Sequence, residues 1–338
     1  MARMIVDAFT HVIPQRCLDR FNAVAARPSV DFLRGLQGRP YLAPMWNMNA
    51  RFRAMDAVDG YAQILTLCVP PIEQMASGAV AVDLARFAND CMAEMVAQHP
   101  DRFVGFAASL PMEDPDASLA EVDRAVQQLG ARGAQVFTNV NGRPLDEPRY
   151  EGLWARLQQL NRSLWVHGAR RYVTPDYDGE TWSRFGLWAA LGWPYEMALF
   201  AARMVASGVL DRYPRLPMYL HHSAGMVATF SRRVNGSWLE LQAEAPADQE
   251  AYQRLQRPPA TYFKDFFADT SGQTPEAIRA ALEFFGADHV LLGSDSPFIS
   301  PADHLRTVQN LQLSPADFEQ VVSGNARRIL HLDQVAAG

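Results

Sequence analysis

Ser163-Leu164-Trp165-Val166-His167 carries an apolar run straight into an imidazole, and the reading of this stretch decides the fold. The pattern recurs along the chain. Residues 216–220 run into His221 and His222, and residues 290–293 run into Ser294 and Asp295. Residues 4–9 are followed two positions later by His11. Short, continuous apolar runs are how parallel strands buried on both faces read. With strand-like runs at 63–69, 103–107, 134–138, 164–166, 218–221 and 266–269, the total is eight.

Helical patterns lie between these runs. Residues 79–98 form a long amphipathic stretch stopped by His99-Pro100. Ser118 and Glu121 form a capping box that opens a helix over 119–129, closed at Gly130. Residues 150–160, 195–207, 275–285 and 315–322 share the helical spacing. Strand alternating with helix eight times predicts an α/β fold, a distorted (β/α)8 TIM barrel, with a doubly wound sheet as the alternative. Residues 1–338 read as one domain, without linker or internal repeat. Two stretches exceed ordinary connections: residues 14–54 after the first strand and 169–188 after the fifth. Insertions at the strand-exit face shape substrate pockets.

Composition narrows the function. The 338 residues are 49% hydrophobic, enough for one large core, and the net charge of −6 gives no basic footprint for nucleic acid. Lys264 is the only lysine, so most lysine-based chemistry is excluded. Cys17, Cys68 and Cys91 are odd in number and widely spaced, which speaks for reduced thiols rather than a disulfide or zinc framework. No apolar run is long enough to span a bilayer, and a strand beginning at Met4 leaves no room for a leader; the expectation is a cytoplasmic protein.

Polar residues at the carboxyl ends of successive barrel strands are where such enzymes keep their chemistry. His167 and Asp295 suit a divalent metal, Zn²⁺, Mn²⁺ or Fe²⁺, and His11 would join them from the first strand. Neighbouring strand residues face opposite sides, so only one of His221 and His222 points inward. His222, nearer the loop, is favoured as the acid/base or polarising group, with His221 packing outward. Arg51 lies in a short helical segment over 49–58. It is either a solvated helix face or a bidentate anchor for a substrate carboxylate. The fourth run ends Val136-Phe137-Thr138-Asn139 without a lysine, so a single ion is the natural number.

Taken in order, the motifs resemble the amidohydrolase superfamily. The branch is that of aminocarboxymuconate semialdehyde decarboxylase and the metal-dependent non-oxidative aromatic acid decarboxylases. The resemblance runs through Asp7-Ala8-Phe9-Thr10-His11, Arg51, Leu110-Pro111 with Asp114-Pro115, and Val166-His167. It continues through Gly192-Trp193-Pro194-Tyr195-Glu196, His222 with Gly225, Leu292-Gly293-Ser294-Asp295-Ser296-Pro297-Phe298 and Gly324-Asn325-Ala326-Arg327. It implies one divalent ion, zinc first, held by His11, His167 and Asp295. His222 and Asp295 would be catalytic, with Arg51, Phe9 and Trp193 against the substrate. It also implies a homodimer. The expected reaction is non-oxidative decarboxylation of a small aromatic or unsaturated carboxylic acid, with metal-assisted hydrolysis of a lactone, amide or C–C bond as the alternative. One position departs from the family. Its first strand usually ends His-x-His or Glu-x-His, and here the first ligand position is Phe9, which cannot coordinate.

Overall fold

The structure, a computed structural model, describes residues 4–241, 250–251, 253–271 and 274–333. Eight parallel strands follow one another in chain order: β1 (Ile5–Val12), β2 (Tyr61–Leu67), β3 (Phe103–Ser109), β4 (Gly133–Phe137), β5 (Ser163–His167), β6 (Met218–Leu220), β7 (Phe267–Asp269) and β8 (Val290–Leu291). The ends meet. The Ala8 amide donates to the Leu292 carbonyl at 2.8 Å and the His11 amide to the Ser296 carbonyl at 2.7 Å, while Thr10 bridges Ser296 in parallel. This is the (β/α)8 barrel that the eight apolar runs predict.

The barrel is filled, not hollow. Phe9, Ile64, Ala107, Trp165, Tyr219, Phe267 and Leu291 form one buried cluster on its axis. The Trp165 indole donates to the Ala8 carbonyl at 3.0 Å, so its one polar atom is satisfied. Gly133 permits this plug: a Cβ there would stand 2.6 Å from the Trp165 ring and closer still to the Ser163 carbonyl. Two larger apolar clusters lie between the strands and the outer helices. No helix among the described residues is long and apolar enough to cross a membrane.

Local signals place most helices within a few residues. Gly78–Gln98 and Pro275–Phe285 follow the sequence pattern closely. The capping box at Ser118 is overturned. The helix is Pro115–Gln127, capped by the Asp114 carboxylate accepting from the Ala117 amide at 3.0 Å. Asp followed by Pro is the stronger start, because Pro at the first helical position gives up no hydrogen bond. Ser118 is buried within that helix, and Glu121 accepts instead from Asn89 and Arg124. Residues 14–54 hold helices Gln15–Val24, Arg27–Gln37 and Met48–Met55 and the 3-10 turn Pro40–Met45. Residues 169–186 contain no regular helix or strand, and Leu187–Ala190 is one short turn.

Candidate active site

The strand period selects the side chains that reach the barrel's exit face. Successive strand residues face opposite sides, so the residue two beyond an axial one is axial again. Trp165 on the axis is followed by His167, Tyr219 by His221, and Phe267 by Asp269. His11 arrives from β1 and Asp295 from the turn after β8. His11, His167 and His221 each present a nitrogen, all within 4.8 Å of one another; His221, His222 and Asp295 form an overlapping group on the same criterion. Nε2 of His11 lies 3.1 Å from Asp295 Oδ1, and Nε2 of His221 lies 3.4 Å from the same oxygen.

His221 therefore faces the site rather than packing outward. His222 also reaches it. Strand geometry stops at Leu220, and His222, Ser223 and Ala224 all take positive φ, at 56°, 52° and 59°. That left-handed run breaks the alternation, and the two rings lie 4.0 Å apart between centroids. His222 Nε2 is 3.9 Å from Asp295 Oδ2, and its ring stacks on Trp193 at 5.8 Å and 4°. Asp295 itself sits at φ 63°. Such backbone costs energy for residues other than glycine and clusters at working sites.

Asp269 is a site residue that the sequence reading passed over. It is wholly buried, and Nδ1 of His221 bonds its Oδ2. Its other oxygen accepts from the Ser223 amide at 2.8 Å and the Ser271 hydroxyl at 2.7 Å. A carboxylate behind an imidazole fixes its tautomer and orientation. Burial disfavours the charged form of His221, yet Asp269 and Asp295 together push it up to about 9. His222 goes the other way: burial and the neighbouring His221 push it down to about 3. Burial acts against ionised Asp295, but the imidazoles beside it, His11 and His221, hold it well below the usual carboxylate range.

The donor set fits a divalent ion. The Thr66 hydroxyl has one proton to give and sits 3.1 Å from the Thr10 carbonyl, so toward Nδ1 of His11 it accepts. The Gly168 carbonyl accepts from Nδ1 of His167 at 2.7 Å. Both rings thus hold their proton on Nδ1 and turn an Nε2 lone pair elsewhere. Burial keeps both imidazoles neutral. The His11 lone pair then meets the Asp295 carboxylate at 3.1 Å, acceptor against acceptor, an arrangement that requires a cation. Ligands bound to one zinc ion at about 2.0–2.2 Å stand roughly 3.0–3.5 Å apart. Phe9 occupies the position beside them as a wholly buried apolar wall. Its ring stacks on His221 at 3.7 Å and 9° and meets His11 edge-on at 5.4 Å.

Arg51 is turned into the protein. It is 1% exposed, and its guanidinium is occupied within the protein. Nε donates to Gln63 at 2.8 Å, Nη1 to the His11 carbonyl at 2.7 Å, and Nη2 to the Thr10 hydroxyl at 2.9 Å. Helix Met48–Met55 turns Arg51 and Met55, four residues apart, into the core. The solvated face does not hold; Arg51 is buried and braces the end of β1.

Above the cluster lies a cavity of about 530 Å³, walled by both insertions and lined by Gly168, Trp188, Trp193, Glu73 and Arg170 among others. The metal-type ligands do not themselves line it. Trp193 joins the two regions: it lines the cavity and meets His167 edge-on at 5.1 Å.

The amidohydrolase family profile matches residues 45–332. A gamma-resorcylate decarboxylase of Rhizobium sp. (strain MTP-10005) is 34% identical over 300 residues, covering 84% of this chain and 87% of that protein. A 2-amino-3-carboxymuconate-6-semialdehyde decarboxylase of Dictyostelium discoideum is 26% identical, covering 97% and 92%. Among solved structures, a 2,6-dihydroxybenzoate decarboxylase from Rhizobium superposes with a TM-score of 0.80 at 28% identity, covering 98% of this chain and all of that one. A dihydroxybenzoic acid decarboxylase from Polaromonas sp. JS666, holding manganese and 2-nitroresorcinol, gives a TM-score of 0.80 at 26% identity, covering 98% of each.

Proposed function

Starting from a chain that belongs to the amidohydrolase family, we propose a metal-dependent, non-oxidative decarboxylase of a small aromatic carboxylic acid bearing an adjacent oxygen. The observation that carries it is the meeting of His11 with His167 and His221, and of His221 with Asp295 and Asp269, in a chain 34% identical to a gamma-resorcylate decarboxylase. His11, His167 and Asp295 would hold the ion. A divalent cation there supplies positive charge for the substrate carboxylate and its neighbouring oxygen. Zinc and manganese both suit two imidazoles and a carboxylate, and the manganese in the Polaromonas relative favours the second.

The chain's own groups supply the proton. His221 is charged at neutral pH, backed by Asp269 and facing Asp295. The proton passes from His221 through the Asp295 carboxylate to the ring carbon that bears the carboxylate. The bond to that carboxylate then breaks, its electron pair returns to the ring, and CO₂ leaves. Asp269 keeps the imidazole aimed throughout. Phe9 excludes water beneath the reacting carbon, and Trp193 offers a face for the ring. His222, neutral at neutral pH, is a contact rather than the proton source. The hydrolytic alternative uses the same residues and has no observation of its own in its favour. A homodimer remains part of this reading through the family, and sedimentation of the purified protein tests it.

Incubation with 2,6-dihydroxybenzoate in heavy water enriched in oxygen-18 is the test. The expected result is CO₂ release with one deuterium on the ring carbon and no solvent oxygen in the product. Solvent oxygen in the product would favour hydrolysis.

A further inference from the structure

The turn that carries Asp295 has little strand to hold it. β8 ends at Leu291, four residues earlier, and Asp295 sits in left-handed backbone that costs energy for any residue but glycine. Ties to β1 set its place instead. The Asp295 amide donates to the Phe9 carbonyl at 3.2 Å, and the His11 amide donates to the Ser296 carbonyl at 2.7 Å. Asp7 supplies the side-chain tie. It is wholly buried, and its Oδ1 accepts from the Ser294 amide at 2.9 Å and the Phe9 amide at 3.4 Å. The Ser294 hydroxyl bonds the same carboxylate, and its oxygen accepts from the Ser296 amide at 3.0 Å.

Behind Asp7 the bonds continue. The Tyr61 hydroxyl donates to Asp7 Oδ2 and accepts from Gln63 Nε2 at 3.3 Å. Gln63 Oε1 accepts from Arg51 Nε at 2.8 Å, and Arg51 Nη1 closes on the His11 carbonyl at 2.7 Å. One buried chain of bonds thus runs from the backbone beside Asp295 to the backbone of His11. Asp7 and Arg51 carry its two opposite charges, and burial raises the Asp7 carboxyl only to about 6, so it is ionised at neutral pH. A charged acceptor grips an amide more firmly than a neutral one and holds its direction. Asp7 does not line the cavity, and its oxygens are taken by these donors.

We infer that Asp7 is a positioning residue: through Ser294 it sets the direction in which the Asp295 carboxylate meets the ion and hands over the proton. This rests on the decarboxylase reading and adds to it a residue that touches neither ion nor substrate.

Asp7→Asn keeps the shape and removes the charge. Manganese titration of the chelator-stripped, full-length protein, followed by the paramagnetic resonance of the free ion, reads the effect without turnover. The variant should bind manganese about tenfold to a hundredfold more weakly, the range for losing a bond that orients a ligand. At saturating manganese, kcat on 2,6-dihydroxybenzoate should still fall about tenfold, with KM within about twofold. Tyr61→Phe takes one donor from Asp7 and should weaken manganese binding about threefold. An Asp7→Asn protein that is less stable, yet binds manganese and turns over as the wild type does, makes Asp7 a purely structural residue and overturns the inference. Where that variant does not fold, unchanged manganese affinity in Tyr61→Phe overturns it. If the wild type turns over no substrate, yet manganese affinity falls in the variants, the positioning role stands and decarboxylation falls. Wild-type turnover with equal manganese affinity and kcat in the variants leaves decarboxylation standing and removes Asp7 from it.

Discussion

The cluster of strand-end residues, a floor that lies beneath the cavity without lining it, and the cavity's mouth are held in different ways. On the floor, His11, His167, His221, Asp269 and Asp295 come from five strand ends, and each polar atom has a partner inside the protein or faces one shared point. At the mouth, the insertion over 14–54 supplies Ser29 and Phe32 and that over 169–188 supplies Arg170 and Trp188, while buried polar atoms of Glu73 and Arg170 lack a partner. A satisfied network fixes a reaction geometry; a wall built from long insertions is held by fewer such bonds. Arg51 and Arg170 show the contrast in one residue type. The first closes its hydrogen bonds on the end of β1; the second bonds within its own insertion, to the Pro175 carbonyl and beside Asp176, and keeps a buried Nε without a partner.

The contrast can be broken at several points. Asp295→Asn should cut kcat about a thousandfold, as expected for loss of a proton-handling group, in a protein that still folds. Single-turnover kinetics check it, and near-wild-type rates would remove Asp295 from the chemistry. His221→Asn should lower kcat by about a hundredfold, whereas His222→Asn should cost less than about tenfold. The reverse order restores His222 as the proton source. Asp269→Asn should fall between them, because it disturbs the imidazole without removing it.

Arg51→Met should act on stability rather than on binding. Opening the buried donors' partners costs about 3 kcal/mol, read by denaturant unfolding, with KM little changed. A large rise in KM without loss of stability would return Arg51 to the substrate.

Glu73 sharpens the contrast through pH. Burial raises its carboxyl from 4.5 to about 8 in the folded protein. The folded state thus binds this proton more tightly than the unfolded chain. The stability from Glu73 is complete below about pH 4.5 and is lost as pH rises towards 8, on the order of a few kcal/mol. Glu73→Gln should remove that decline, so the melting temperatures of variant and wild type diverge between pH 5 and 8 in the variant's favour. Parallel melting curves across that range would show Glu73 ionised in the fold.

Much of the floor was legible in the sequence because strands have a period. Eight apolar runs located eight strands, and His11, His167 and Asp295 followed as strand-exit residues. The same period, applied one step further, selects His221: Tyr219 is axial, so the residue two beyond it is axial. Reading outward from the loop instead favoured His222. What the alternation rule could not show is that a left-handed turn at residues 222–224 brings both rings to one face. Asp269 was visible as the last residue of an apolar run, the same signal that marked His167. The mouth was not legible. Residues 169–186 have no periodicity to read, and the fate of Arg51 depends on which face of an eight-residue helix meets β1.

The most direct test is a count of metal. Protein stripped with a chelator and reloaded with manganese should hold one ion per chain by elemental analysis, and His11→Ala and His167→Ala should hold far less. Unchanged metal content in both variants, or full decarboxylation by the metal-free protein, would contradict a shared site at the ends of β1, β5 and β8.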